Sequence, residues 1–133
     1  ATYGDGLGNI NLSKLLDFHS HQGRLATVTA VRPPARFGLL ESSNGKVTEF
    51  SEKNQTQAGW INGGFFVLEP EVRNYIERDS EPFETGAMPR LVAESELSAY
   101  HHSEFWQPMD TLREKQELAK LTIIETPPWL QGI

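Results

Sequence analysis

The 133 residues predict an α/β domain built on a mixed sheet, and three observations carry that expectation. Strand-like runs alternate with amphipathic helical runs, the pattern that layers helices against a sheet. Asn44-Gly45 separates two short apolar runs, the strongest short-range hairpin signal, because both turn residues must tolerate positive φ. Finally, 38% of the residues are hydrophobic. A chain of this length buries roughly two-thirds of the surface its unfolded form exposes, enough for one core.

The elements follow in order. Asn11 is placed to cap a first helix, with Leu12, Leu15, Leu16 and His19 on one face and Gly23 closing it. Leu25 to Val31 is β-branched and bounded by Gly23 and Pro33-Pro34, so it reads as a buried strand. Phe37 to Leu40 and Val47 to Phe50 form the hairpin arms around Asn44-Gly45. Trp60 to Leu68 is a further strand, interrupted by Gly63-Gly64, and paired glycines inside a strand mark a bulge or a close backbone approach. Pro70 suits the first turn of a helix reaching about Asp79, with Val72, Tyr75 and Ile76 as its apolar face. Met88 to Ser95 reads as another helix and Ser98 to His102 as a short strand. Thr111-x-x-Glu114 is a capping-box pattern at the head of a last helix containing Leu112, Leu118, Ala119 and Leu121.

Composition removes several function classes. Without cysteine there is no disulfide scaffold, thiolate zinc site or cysteine nucleophile. A net charge of −6 argues against a nucleic-acid partner, which needs a basic stripe against the phosphates. No apolar run approaches the ~20 residues of a membrane span. The N-terminus lacks the basic and apolar regions of a signal peptide and carries no initiator Met. A cytoplasmic location is expected.

Several residues then stand out, each with a plainer reading beside it. Asp5, in Tyr3-Gly4-Asp5-Gly6, puts a carboxylate between glycines, where a phosphate and Mg²⁺ could approach the backbone. The same tetrapeptide also makes an ordinary turn. Asp110 offers a second carboxylate, or caps the helix that follows. Lys53 can neutralise a phosphate and Glu52 can accept sugar hydroxyls, or the two are a solvated charge pair. Arg32 and Arg36, around Pro33-Pro34, read as loop charges. Asn62 and Gly63 offer an amide and open backbone to a sugar, or simply form the bulge. His19 and His21 lie too close to share a helix face, and His101 and His102 point to opposite faces of a strand, so a histidine metal site is not expected.

Read as an ordered set, these strings acquire meaning. Tyr-Gly-Asp-Gly, Leu-Ala-Thr-Val-Thr-Ala-Val-x-Pro-Pro-x-Arg-Phe-Gly, Phe-x-Glu-Lys, Trp-Ile-Asn-Gly-Gly-Phe-Phe-Val-Leu-Glu-Pro and Phe-Trp-Gln-Pro-Met-Asp-Thr-Leu-Arg run in that order from Tyr3 to about Leu121. The set resembles the C-terminal half of the glucose-1-phosphate cytidylyltransferases, a branch of the sugar nucleotidyltransferases. The resemblance implies a Rossmann-like nucleotide-diphospho-sugar transferase fold, with residues 1–133 forming a single partial domain. It also implies Mg²⁺-dependent transfer of CMP from CTP to glucose 1-phosphate, giving CDP-glucose and pyrophosphate. By the same resemblance Asp5 and Asp110 are the metal-binding aspartates, Lys53 holds the sugar phosphate, Glu52, Asn62 and Gly63 bind the sugar, and Gly38 turns its backbone toward it.

Five positions depart from the family pattern: Asn54 stands for a proline, Gly86-Ala87 for Glu-Pro, Glu104 for a glycine and Glu114 for an aspartate. The family's N-terminal glycine-rich nucleotide loop has no counterpart in these strings. Three readings follow. The chain is the sugar half of an enzyme completed by an N-terminal half-domain, a sugar-phosphate-binding module without transfer chemistry, or a structural piece that self-associates into a homo-oligomer. Two retained metal carboxylates favour the first.

Overall fold

The computed structural model describes residues 1–33, 39–51 and 59–131. Its centre is a three-stranded mixed sheet. β2 (Ala26–Val31) lies between β5 (Ile61–Leu68), which it meets antiparallel, and β6 (Leu97–His102), which it meets parallel. All six positions of β2 are buried, as an unbroken β-branched and small-residue run requires of a central strand covered on both faces. β3 (Leu39–Ser43) and β4 (Lys46–Ser51) form the expected hairpin, with Asn44 at φ 52° and Gly45 at φ 76°. Both turn residues take the left-handed conformation that an Asn-Gly turn selects.

The first helix, α1 (Leu12–Gln22), begins and ends where its caps dictate. Asn11 accepts a hydrogen bond from the Lys14 amide at 2.9 Å, and Gly23 closes the helix at φ 61°. Its buried stripe is narrower than the sequence suggests. Leu15 and His19 are buried and Phe18 packs edge-on to Tyr100, while Leu12 and Leu16 remain exposed. A three-stranded sheet covers only part of the helix, and those two leucines lie at its margin.

The helix expected from Pro70 to Asp79 is corrected by the structure. A 3₁₀ helix covers Pro70–Tyr75 and stops there, and Ile76 is extended and exposed. The cause is a tertiary contact: the Tyr75 carbonyl accepts from Arg90 Nη1 at 2.8 Å instead of from a following helical turn. α2 (Ala87–Ala93) starts one residue before the expected Met88 and ends before Ser95, which turns the chain at φ 61°. Leu91 of α2 is fully buried against Ala26 and Val72, with Leu25, Leu68, Tyr75, Phe83 and Leu97 around them.

Two short strands escaped the sequence reading. β1 (Gly6–Gly8) and β7 (Trp106–Pro108) pair antiparallel, Gly6 opposite Pro108 and Gly8 opposite Trp106. α3 (Leu112–Leu121) follows with a complete capping box: Thr111 accepts from the Glu114 amide, and the Glu114 carboxylate accepts from the Thr111 amide. Of the apolar residues expected within α3, only Leu118 is buried. Among the described residues no helix is long and apolar enough to cross a membrane.

Candidate functional site

Ala1 to Tyr3 runs antiparallel along β5. The Phe66 amide donates to the Ala1 carbonyl at 2.8 Å, and the Tyr3 amide donates to the Gly64 carbonyl at 2.9 Å. Asp5 lies in the turn directly after this segment. From there β1 leads across to β7, and the Met109 amide donates to the Asp5 carbonyl at 2.7 Å. The β1–β7 pairing therefore carries Asp110 to Asp5 across most of the sequence. The N-cap of α3 is Thr111, not Asp110, whose backbone amide is held by the Glu114 carboxylate at 3.0 Å. Among the described residues neither the Asp5 nor the Asp110 carboxylate accepts a hydrogen bond or pairs with a cation.

Both carboxylates line one cleft of about 450 Å³, together with Tyr3, Asn62, Gly63 and Trp106. Gly63-Gly64 is the bulge that the sequence predicts: β5 inserts residues opposite Thr29, and Gly64 sits at φ 75°. It is also a close approach, since a Cβ on Gly63 would lie 2.7 Å from Val31 Cγ1. The Asn62 carboxamide oxygen accepts from the Gly64 amide at 2.8 Å, which leaves its NH₂ group as a donor. Trp106 Nε1 donates to the Gly63 carbonyl at 2.9 Å and fastens β7 to the bulge.

Tyr3 and Trp106 are cleft residues that the residue-by-residue reading did not single out, although both lie within quoted strings. The Tyr3 ring packs on Gly64 and meets Phe66 edge-on at 5.4 Å. Its hydroxyl donates to the Glu84 carboxylate. Burial, with this hydrogen bond adding to it, pushes the phenol up to about 12, and the same bond holds the Glu84 carboxyl below its ordinary range. Arg32 is more than a loop charge: its guanidinium lies 4.5 Å from the Trp60 ring centre, and Trp60 meets His101 edge-on.

Gly38, Glu52 and Lys53, like Arg36, lie outside the described residues. Among the described residues no group of three or more His, Asp or Glu side chains gathers to hold a metal. His19 is instead buried, contacting Thr27 Oγ1 at 2.8 Å and Glu69 at 3.0 Å. Two unpaired carboxylates in one cleft suit a hard cation whose remaining ligands come from a bound phosphate and water, since Mg²⁺ typically uses one or two carboxylates in such sites.

The nucleotidyl transferase family profile matches residues 2–116. The chain is 44% identical over 128 residues to glucose-1-phosphate cytidylyltransferases of Salmonella typhi and Salmonella typhimurium, covering 96% of this chain and 50% of each of those proteins. It thus spans about half the length of these relatives. A crystal structure from Bacillus anthracis, assigned as a glucose-1-phosphate thymidylyltransferase, superposes with a TM-score of 0.61 at 19% identity, covering 96% of this chain and 55% of that one. That likeness bears on the fold, a mixed α/β architecture, and agrees with the α/β class read from the sequence. With the profile spanning most of its length and relatives this close, the chain belongs to the nucleotidyl transferase family.

Proposed function

We propose that this chain supplies the sugar-phosphate and metal-binding half of a glucose-1-phosphate cytidylyltransferase site. The convergence of Asp5, Asp110, Asn62 and Gly63 on one cleft is the observation that supports this most. In the reaction, a phosphate oxygen of glucose 1-phosphate attacks the α-phosphorus of CTP and forms a new P–O bond. The bond to the β-phosphate breaks, and pyrophosphate leaves with its electron pair. The nucleophile is already an anion, so no protein base is needed, and the protein's task is positioning and charge neutralisation. Asp5 and Asp110 would hold Mg²⁺, which supplies countercharge to the nucleotide phosphates. Asn62 donates from its NH₂ group to sugar hydroxyls, the Gly63 backbone allows the ring to approach, and Trp106 keeps that backbone in place. Lys53 neutralises the sugar phosphate, while Glu52 and Gly38 complete the sugar contacts. The nucleotide loop comes from a second half-domain.

The test combines this chain with the remaining length of the enzyme and follows pyrophosphate release from CTP, glucose 1-phosphate and Mg²⁺. Asp5→Asn and Asp110→Asn should each lower kcat on the order of a hundredfold to a thousandfold. Undiminished turnover in the double variant would refute the metal assignment. Faster release with GTP or mannose 1-phosphate would refute the specificity, and turnover by this chain alone would refute the need for a second half.

A further inference from the structure

Tyr3 links the Glu84 carboxylate to Asn62 through Gly64. The Glu84 carboxylate takes the Tyr3 proton. The Asn62 carboxamide oxygen accepts from the Gly64 amide at 2.8 Å, and Gly64 is itself bonded through its carbonyl to the Tyr3 amide at 2.9 Å. Space at this point is fully used: a Cβ on Gly64 would lie 2.7 Å from Tyr3 Cδ2. Tyr3 therefore cannot shift without moving the bulge. Glu84 stands outside the cleft, between the 3₁₀ helix and α2, in the stretch where Glu81 is locked to Arg90 through two 2.8 Å hydrogen bonds. The relay thus joins a carboxylate outside the cleft to a side chain in the cleft wall.

We propose that Tyr3 and Glu84 are positioning residues that fix the Asn62 carboxamide for a sugar phosphate bound in the cleft, with Glu84 acting through Tyr3. The chemistry requires this order. The Glu84 carboxylate holds the phenol, the phenol ring packs on Gly64, and the Gly64 amide holds the carboxamide oxygen, a bond that leaves both amide hydrogens to donate. These amide hydrogens are left to meet sugar hydroxyls. The sugar-phosphate part of this proposal rests on the function proposed above, whereas the relay itself does not.

Two measurements on the full chain separate the two. In ¹⁵N-labelled protein, the Asn62 side-chain amide signals, assigned with Asn62→Asp, should move in Tyr3→Phe and in Glu84→Ala and return toward the native position in Glu84→Gln, whose amide oxygen still accepts the Tyr3 proton. An Asn62 signal that stays put in variants retaining native spectral dispersion overturns the relay, whatever the protein binds. In calorimetric titration with glucose 1-phosphate and Mg²⁺, Tyr3→Phe and Glu84→Ala should weaken binding about tenfold. Tyr3→Phe should add nothing further in an Asn62→Ala background. Equal affinity in all variants overturns the positioning role. If the native chain binds no sugar phosphate, the functional reading falls while shifted Asn62 signals still uphold the relay.

Discussion

A methyl group at position 63 would sit 2.7 Å from Val31 Cγ1 and 3.0 Å from the Thr29 carbonyl oxygen, and the latter is main chain and cannot rotate away. Position 64 is restricted twice, by φ 75° and by the Tyr3 ring. Gly4, between Tyr3 and Asp5 of the same cleft, has nothing within 4 Å of its would-be Cβ and no positive φ. Urea unfolding should therefore rank the alanine variants. Gly63→Ala is expected to cost about 1–3 kcal/mol through overpacking. Gly64→Ala should cost at least as much, because backbone strain adds to the clash. Gly4→Ala should stay within about 0.5 kcal/mol. A neutral Gly63→Ala would show that β2 and β5 can separate at the bulge, against the close packing described here. The paired glycines announced this feature in the sequence, but which atoms crowd them did not. Val31 and Thr29 belong to another strand, and Tyr3 to a third segment.

Among the elements, the stretch from Pro70 to Ala93 is held less by helical propensity than by Arg90. Its guanidinium binds Glu81 through both nitrogens at 2.8 Å, the Tyr75 carbonyl at 2.8 Å and Glu77 at 3.2 Å. The Arg90 hydrogen bonds hold the Glu81 carboxyl down at about 2, against an ordinary value of 4.5. A carboxyl whose folded pKa is depressed stabilises the fold above its unfolded pKa and loses that contribution as pH falls through the folded value. Stability measured by circular dichroism should therefore decline from about pH 4.5 toward about pH 2, and Glu81→Gln should flatten that part of the profile while lowering stability at neutral pH. An unchanged acid profile in Glu81→Gln would exclude this pair as its source. Elements marked by a local chemical device were legible in the sequence: the Asn11 cap with Gly23, the Asn44-Gly45 turn and the Thr111–Glu114 box all stand where expected. The 70–79 helix was misread because its terminator is a guanidinium fifteen residues beyond the carbonyl it binds.

For the whole molecule, the features hardest to read are those that assemble the cleft. β1 and β7 have three residues each, one of them Gly-Leu-Gly, with no propensity or periodicity to reveal them. They exist because they pair, and their pairing brings Asp5 to Asp110. The sequence could therefore nominate both aspartates by resemblance without showing that they meet. In this chain of net charge −6, Asp5 and Asp110 line one cleft without a partner among the described residues, and on the proposed function they hold a divalent cation there. A ligand that binds only the folded state raises stability by mass action, by about 2.7 kcal/mol at a hundred times its Kd. Millimolar Mg²⁺ should accordingly raise the thermal midpoint more than NaCl at equal ionic strength. Asp5→Asn and Asp110→Asn should each remove that increment. Trp106→Phe tests the assembly itself. It deletes the hydrogen bond from Nε1 to the Gly63 carbonyl while leaving both carboxylates in the sequence. If the β1–β7 pair is what holds the carboxylates together, this variant should lose part of the Mg²⁺ increment as well as about 1 kcal/mol of stability. A full increment in Trp106→Phe, or an undiminished one in the Asp5/Asp110 double variant, would mean that the cation binds elsewhere and that the cleft owes its shape to other contacts.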